Sequence, residues 1–329
     1  MSGYSPHSKT NKVTDDEFIK AWRAHNGHVL SVGSACGLQQ RGVLGRRRSI
    51  ERRLGITLNA QKTAVEAVIR YHKARINITV EDGVLPIAGD IHIWPGERTT
   101  VQRAYIEMVK RLKPKYVILI GDVFDGARIS RYPRIGFLEN RPLVKDELRA
   151  VDEYLTEIEN ASQPGAKLIW CLGNHDQRYE AYLASNASEM EGVDGMHLKD
   201  RFPRWLPCWT VHINEGESGH TAVKHRYHNG IHATYNNVLK GGVNFVTGHL
   251  HQLTASKWTD YRGTRYGVDT GVMADVDDPQ FINYREDSPA NWSSGFAVLT
   301  FKNGKLMRPE FVQKWDEESV EFRGDLISV

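Results

Sequence analysis

Tyr116-Val117-Ile118-Leu119-Ile120-Gly121-Asp122-Val123-Phe124-Asp125 is the stretch whose reading decides the fold. A short apolar run bounded by glycine reads as a strand buried on both faces, as in a parallel sheet. This one ends on Gly121-Asp122, which puts a carboxylate at the C-terminal edge of the sheet, where α/β folds place their chemistry. Three other stretches end in the same way. Leu85-Pro86-Ile87-Ala88 runs into Gly89-Asp90-Ile91-His92, and Leu168-Ile169-Trp170-Cys171-Leu172 into Gly173-Asn174-His175-Asp176. Val243-Asn244-Phe245-Val246-Thr247 runs into Gly248-His249-Leu250-His251. Each strand end carries Asp, Asn or His, and together they read as one metal centre assembled from distant parts of the chain.

Around these strands the periodicity alternates. Residues 98–112 read as a helix with Val101, Ala104, Tyr105, Met108 and Val109 on one face, stopped by Pro114. Residues 146–158 read as a second, striped by Leu148, Val151, Leu155 and Ile158, and residues 179–183 as a short third. Beyond about residue 208 the pattern turns to strands, expected at 209–213, 221–227, 243–247, 264–268 and 296–301, with a turn at Asn303-Gly304. Strand–helix alternation followed by strands implies an α/β class with a layered sheet. Residues 76–80 and 84–88 around Asp82-Gly83 carry a hairpin signal. A linking helix is expected at 63–73, and the domain boundary falls near 73–84, giving domains 1–75 and 76–329.

The first domain is basic. Residues 1–75 hold 14 Lys/Arg against 5 Asp/Glu, so the net charge of +3 hides a head of +9 on a body of −6. Such a head suits a polyanion, although a solvated helical surface has the same composition. Thr14-Asp15-Asp16-Glu17 has the form of a capping box. Phe18 and Trp22 give the helix behind it an apolar face, and Gly27 ends it. A second helix fits residues 29–36 with Gly37 as its stop, and a third follows Gln39-Gln40-Arg41-Gly42. In the third helix Val43, Leu44, Ile50 and Leu54 make an apolar seam, and Arg41, Arg46, Arg47, Arg48, Arg52 and Arg53 fill much of the rest. The three helices resemble a helix-turn-helix, with those arginines as candidate DNA contacts. Gly42 and Gly45 each weaken the third helix by about 1 kcal/mol.

In their order along the chain, Asp-x-His, Gly-Asp-x-x-Asp, Gly-Asn-His-Asp and Gly-His-x-His resemble the calcineurin-like metallophosphoesterase family over residues 84–275. The resemblance implies a layered β-sandwich flanked by helices, two divalent metal ions, and phosphoester hydrolysis by metal-bound hydroxide. It assigns Asp90, His92 and His251 to the first metal, Asp122 to a bridge, and Asn174 and His249 to the second. It makes His175 the histidine that protonates the leaving oxygen or stabilises the transition state, oriented by Asp125. On that division Asp125→Asn should spare the metals.

The family also needs a histidine between the Asn-His and His-x-His motifs. His212, His220, His225, His228 and His232 are available, and His225 is chosen because it follows an apolar strand and precedes His249 by a helix and a strand. Arg226 stands where the family often has glycine. Mixed imidazole and carboxylate donors suit Mn first, with Fe or Zn as alternatives. Arg128 and Arg178 are candidates to hold substrate oxygens. Arg131 and Arg134 fit a solvated loop equally well, and residues 130–142 read as an inserted loop that shapes substrate choice.

The expected activity is therefore a phosphodiesterase or nuclease acting on DNA. A phosphatase or cyclic-nucleotide phosphodiesterase with a non-binding head is the alternative, and a non-enzymatic DNA-binding regulator is the second. A head of this kind on this catalytic domain also resembles proteins of bacteriophage genomes. No apolar run approaches the ~18 residues that span a bilayer, and no signal peptide is visible, so no membrane partner is expected. Cys36, Cys171 and Cys208 are scattered and suggest no disulfide framework, which fits a cytoplasmic location.

Overall fold

Hydrogen bonds at Thr14 start the first helix: its side chain accepts from Glu17 N at 3.3 Å, and the Glu17 carboxylate accepts from Thr14 N at 2.7 Å. The structure is a computed structural model that describes residues 13–25, 27–58, 73–132, 141–277, 281, 285 and 289–329. The chain divides into two units, Met1–Tyr71 and His72–Val329.

In the first unit, α1 (Asp15–Ala24), α2 (Val29–Cys36) and α3 (Gln40–Leu54) enclose Phe18, Trp22, Val32, Val43, Ile50 and Leu58. The α3 helix runs unbroken through Gly42 and Gly45, because Val43 and Ile50 on its inner face are fully buried and outweigh the glycine cost. Its arginines divide into two sets. Arg46 bonds to Val13 O and Asp15, Arg53 pairs with Asp15, and Arg47 pairs with Glu51 and lies 5.4 Å from the Trp22 ring centroid. Arg41, Arg48 and Arg52 are exposed and have no ion pair among the described residues. Offsets of seven and eleven residues at ~100° per residue bring these three onto one stripe. The linking helix expected at 63–73 lies outside the described residues, except for Lys73.

In the second unit, β1 (Lys73–Ile78) pairs parallel with β5 (Trp205–Ile213). The hairpin expected around Asp82-Gly83 is therefore absent. Instead β2 (Gly83–Ala88), buried on both faces toward its C-terminal end, takes β3 (Tyr116–Leu119) and β10 (Gly295–Lys302) as its two neighbours. A turn signal is local, whereas strand pairing is decided by which edges the whole sheet needs to bury. Asn214 secures the crossing from β1: it accepts from Val80 N at 2.7 Å and donates to Val80 O and Gly304 O.

Strands β2, β3 and β4 (Lys167–Cys171) lie parallel, connected by α4 (Thr100–Leu112) and α5 (Val144–Ala161). β5 is parallel to β4 along its first half and antiparallel to β6 (Thr221–Val223) along its second. β6, β7 (Asn244–Thr247) and β9 (Gly263–Asp269) form a second parallel group, edged by β8 (Thr254–Asp260). Beyond β10 come β11 (Lys305–Leu306), β12 (Glu310–Lys314), β13 (Ser319–Phe322) and β14 (Asp325–Ser328), all in antiparallel pairings. Three further helices lie between strands: α6 (Asp176–Asn186), α7 (Leu198–Arg201) and α8 (Ala233–Gly241). The short helix expected at 179–183 is thus longer, and the strand expected at 221–227 stops at Val223.

The strand path folds over on itself. Ile87, Ile118, Ile169 and Leu299 share one buried cluster with Val211, Val223, Val246 and Val268, and that cluster contains no helix residue. On the opposite face, Val117, Leu119, Leu168 and Trp170 pack with Tyr105 and Met108 of α4 and Val151 and Leu155 of α5. The second unit is a layered α/β fold: a β-sandwich flanked by helices. Its two parallel groups end at one place.

Candidate metal centre

Three of the four strand ends turn sharply just where a metal-ligating side chain is expected. Asp90, His92, Asp122, His249 and His251 all take positive φ, at 53°, 46°, 51°, 74° and 60°. Non-glycine residues held there cost on the order of 1–3 kcal/mol each, and such strain persists where function requires it. The neighbouring glycines make room. A Cβ on Gly173 would stand 2.0 Å from Asp122 Oδ1, and one on Gly248 would stand 2.3 Å from Asp90 Oδ2. The loops are laced together: Ile91 N and His92 N both donate to Asp122 O, and His249 N donates to Asp90 Oδ2 at 2.7 Å.

Two ligand clusters result, Asp90–His92–His251 and Asp122–His225–His249, with the ligand atoms of each within 4.8 Å of one another. Their donor chemistry fits cations. His225 Nδ1 donates to Ile120 O at 2.8 Å, so in the neutral ring Nε2 is an acceptor. That Nε2 faces two further acceptors, Asp122 Oδ2 at 3.2 Å and Asn174 Oδ1 at 3.1 Å. That point needs a positive charge: against burial, Asp122 raises the His225 pKa to about 10 and favours a proton on Nε2, a place that a metal cation would take instead. His92 repeats the arrangement: Nδ1 bonds to Asp125, and the buried Nε2 has no hydrogen-bond partner, nor does the buried His251 Nδ1. Burial, reinforced by His225, holds the His249 pKa down at about 4, which keeps that ring available as a neutral ligand.

The other four middle-histidine candidates lie elsewhere. His212 and His220 bond to each other at 2.7 Å, His228 N donates to Asn237, and His232 stands before α8. The structure brings His225 alone of the five into a cluster with Asp122.

Asp125 does more than orient His175. Its Oδ1 accepts from His175 Nδ1 at 2.7 Å and from His92 Nδ1 at 3.0 Å, and its Oδ2 accepts from Trp94 Nε1 at 3.0 Å. One carboxylate oxygen therefore fixes both a candidate metal-ligand ring and the catalytic candidate. With His92 sharing that oxygen, the expectation that Asp125→Asn spares the metals gives way to a different one. Asp125→Asn should lower affinity at the Asp90–His92–His251 cluster by about 10- to 100-fold while also slowing turnover. Titration calorimetry with Mn²⁺ checks it, and wild-type affinity in the variant would contradict the shared oxygen.

His175 stands at the start of α6, where Arg178 Nη2 approaches its Nε2 at 3.0 Å and Arg178 Nη1 donates to Asp125 O. Burial opposes the imidazolium, but Asp122 and Asp125 outweigh it and raise the pKa. In the geometry shown Nε2 accepts from the guanidinium, so while Arg178 stands there that nitrogen cannot carry the proton that Asp122 and Asp125 favour. A substrate phosphoryl group that drew Arg178 to itself would free that nitrogen.

Asp176 had no assigned role in the sequence reading. It is fully buried, and it accepts from the backbone N–H groups of Asp122, Val123, Phe124 and Gly173 and from Trp170 Nε1, all between 2.7 and 3.1 Å. It clamps the Asp122 loop to the Gly173 loop. Its place after Asn174-His175 was the available signal, but no pattern rule distinguishes a loop clamp from a helix-starting Asp. Asp269, at the end of β9, was missed likewise; it accepts from Gln252 N and Gly271 N, and burial beside Asp90 pushes its pKa up to about 8.

Beside the second cluster opens a cleft of about 640 Å³, reaching Asn174 and His249. Arg131, Arg178 and Arg226 line it. Arg128 does not; it is exposed, because the turn over Ala127–Ile129 sends it away while burying Ala127. Arg226, the departure from the family pattern, thus points to the cleft wall. Residues 133–140 of the expected inserted loop, with Arg134, lie outside the described residues.

The gene 54 proteins of Mycobacterium phages L5 and D29 are each 24% identical, over 226 and 227 residues, covering 64% of this chain and 86% of theirs. Crystal structures of Vps29 from Entamoeba histolytica also align. The wild-type protein complexed with Zn²⁺ has a TM-score of 0.41 at 13% identity, covering 74% of this chain and 98% of that one. A single mutant of the same protein has a TM-score of 0.39 at 12% identity, covering 75% and 99%. A family model described as calcineurin-like phosphoesterase matches residues 87–274. That match covers more than half of the chain and contains all four strand ends, so the chain belongs to the calcineurin-like phosphoesterase family.

Proposed function

We propose that this metallophosphoesterase is a phosphodiesterase of DNA, brought to its substrate by the first unit. The observation that carries the DNA reading is the α3 stripe of Arg41, Arg48 and Arg52, exposed and without an ion pair among the described residues, on the third helix of a helix-turn-helix-like unit. Guanidinium groups along one helix face suit phosphates or base edges of a duplex. Arg46, Arg47 and Arg53 hold α3 in place rather than reaching DNA. Tethering raises the local concentration of phosphodiesters at the catalytic unit.

Two divalent ions, with Mn²⁺ favoured by the mixed donors, would supply Lewis acidity and acidify a nucleophilic water. Asp90, His92 and His251 would hold one; Asn174, His225 and His249 the other; Asp122 would serve both. The protein's own groups do the rest. Arg178 would turn to the phosphoryl oxygens and free His175 Nε2, which takes up a proton from solvent and, with the ring fixed by Asp125, gives it to the leaving oxygen. Phage-encoded relatives fit action in a host cytoplasm. No helix among the described residues is long and apolar enough to cross a membrane.

The test has two parts. With Mn²⁺, wild type and Asp122→Asn are assayed on single- and double-stranded DNA, cyclic nucleotides, and aryl phosphomonoesters and diesters. Turnover of cyclic nucleotides or monoesters without DNA would replace this reading with the phosphatase one. Without metal, replacing Arg41, Arg48 and Arg52 together by Ala should flatten the log–log salt dependence of duplex binding by about 2.7, from three lost phosphate contacts. An unchanged slope would remove the head from the argument.

A further inference from the structure

The cleft beside Asn174 and His249 is larger than a single phosphate ester needs. One wall is a face of α6, on which Gln177, Ala181 and Ser185 follow one another at four-residue spacing. From Gln177 to Asn186 this wall extends about 14 Å at ~1.5 Å per residue. Among the described residues the lining carries three arginines and neither Asp nor Glu. Two tyrosines face the opening, Tyr132 on the loop and Tyr182 on α6, 54% and 47% exposed. The Arg131 guanidinium lies 5.4 Å from the Tyr132 ring centroid.

From this arrangement we infer that the cleft binds an unpaired strand of DNA, with Tyr132 and Tyr182 stacking on bases and Arg131 and Arg226 holding the phosphates on either side. The inference deepens the function proposed above and rests on it. A duplex offers no free base faces, since its bases stack on one another, and exposed tyrosine rings would gain nothing from it. An unpaired strand exposes both base faces and phosphates, which is what a lining with both tyrosine and arginine side chains matches. A monoester or cyclic nucleotide would occupy only the end nearest Asn174 and leave the outer wall unused. The α3 stripe and this cleft then divide the labour: duplex recognition in one unit, and an unpaired segment or frayed end in the other.

The test uses the full chain without metal and a 12-nucleotide single strand carrying 2-aminopurine, beside a duplex of the same sequence. Wild type should quench the 2-aminopurine through stacking. Tyr132→Ala combined with Tyr182→Ala should lose the quenching and bind the single strand at least about 10-fold more weakly, with a much smaller change for the duplex. The corresponding Phe variants, which keep the rings, should restore both signals. With Mn²⁺, the ratio of kcat/KM on single-stranded DNA to that on an aryl diester should fall by a similar factor in the Ala pair. If the Ala pair quenches, binds and discriminates like wild type, the stacking cleft is wrong while the DNA reading stands. If wild type binds neither strand form, both fall. Equal weakening on strand and duplex would also overturn the inference.

Discussion

Asp122→Asn is expected to lower kcat by at least about 10³-fold and to leave the purified protein short of one or both metal ions. The size follows from the carboxylate's position. Asp122 Oδ1 accepts from His175 N at 2.7 Å, and Oδ2 lies 3.2 Å from His225 Nε2. An asparagine must keep its carbonyl oxygen toward the His175 N–H, because its NH₂ there would set donor against donor. The NH₂ is thereby forced to the Oδ2 position, where the metal sites need a lone pair. Removing the buried charge also takes away the anion that His225 and His175 stabilise; against the cost of burial, those two rings hold the Asp122 pKa well below the carboxylate range. Metal content by mass spectrometry and turnover of an aryl diester decide the matter. Two retained ions with wild-type kcat would show that Asp122 is not shared.

Asp176→Ala should unfold or severely destabilise the catalytic unit. Five donors meet at this carboxylate: Asp122 N, Gly173 N and Trp170 Nε1 at Oδ2, and Val123 N and Phe124 N at Oδ1. Alanine leaves all five without their acceptor in a site that is fully buried. An unmet buried donor costs about 1–3 kcal/mol. Even with water entering the gap, a loss of at least about 4 kcal/mol is expected, a large part of the ~5–15 kcal/mol that holds a domain folded. Asp176→Asn keeps one acceptor and should lose less, while loosening the Asp122 loop enough to weaken metal binding. Urea midpoints of the two variants measure the ordering. An Ala variant as stable as wild type would show that the five donors find other partners.

Much of the site was legible along the chain because its ligands share one local signature: an apolar run, a glycine, then Asp, Asn or His. Parallel strands must be apolar on both faces, and their C-terminal ends are where side chains emerge from the sheet, so Asp90, Asp122, Asn174 and His249 announce themselves by position. His225 was selected on the same ground, and it stands two residues past its strand end at Val223, as Asp90 does past Ala88 and His249 past Thr247. The helices of the first unit were legible too, from the Thr14–Glu17 box and the seam of Val43 and Ile50.

What failed was non-local. The Asp82-Gly83 signal described a turn correctly placed between strands but could not say that β1 would leave for β5. Arg128 and Arg131 are three residues apart and look alike in sequence, and only the turn over Ala127–Ile129 decides which lines the cleft. The sequence by itself determined which residue types stand at the strand ends, because strand periodicity and glycine spacing are properties of neighbouring residues. Tertiary structure alone decided that Asp125 serves His92 as well as His175, that Asp176 ties two loops together, and that three α3 arginines are held by partners while three stand exposed. Apart from the local Arg47–Glu51 pair, those facts turn on hydrogen bonds, ion pairs or ring contacts between residues far apart in the chain, formed when the folded sheet brings distant strand ends, or packed helices bring distant side chains, within a few ångströms.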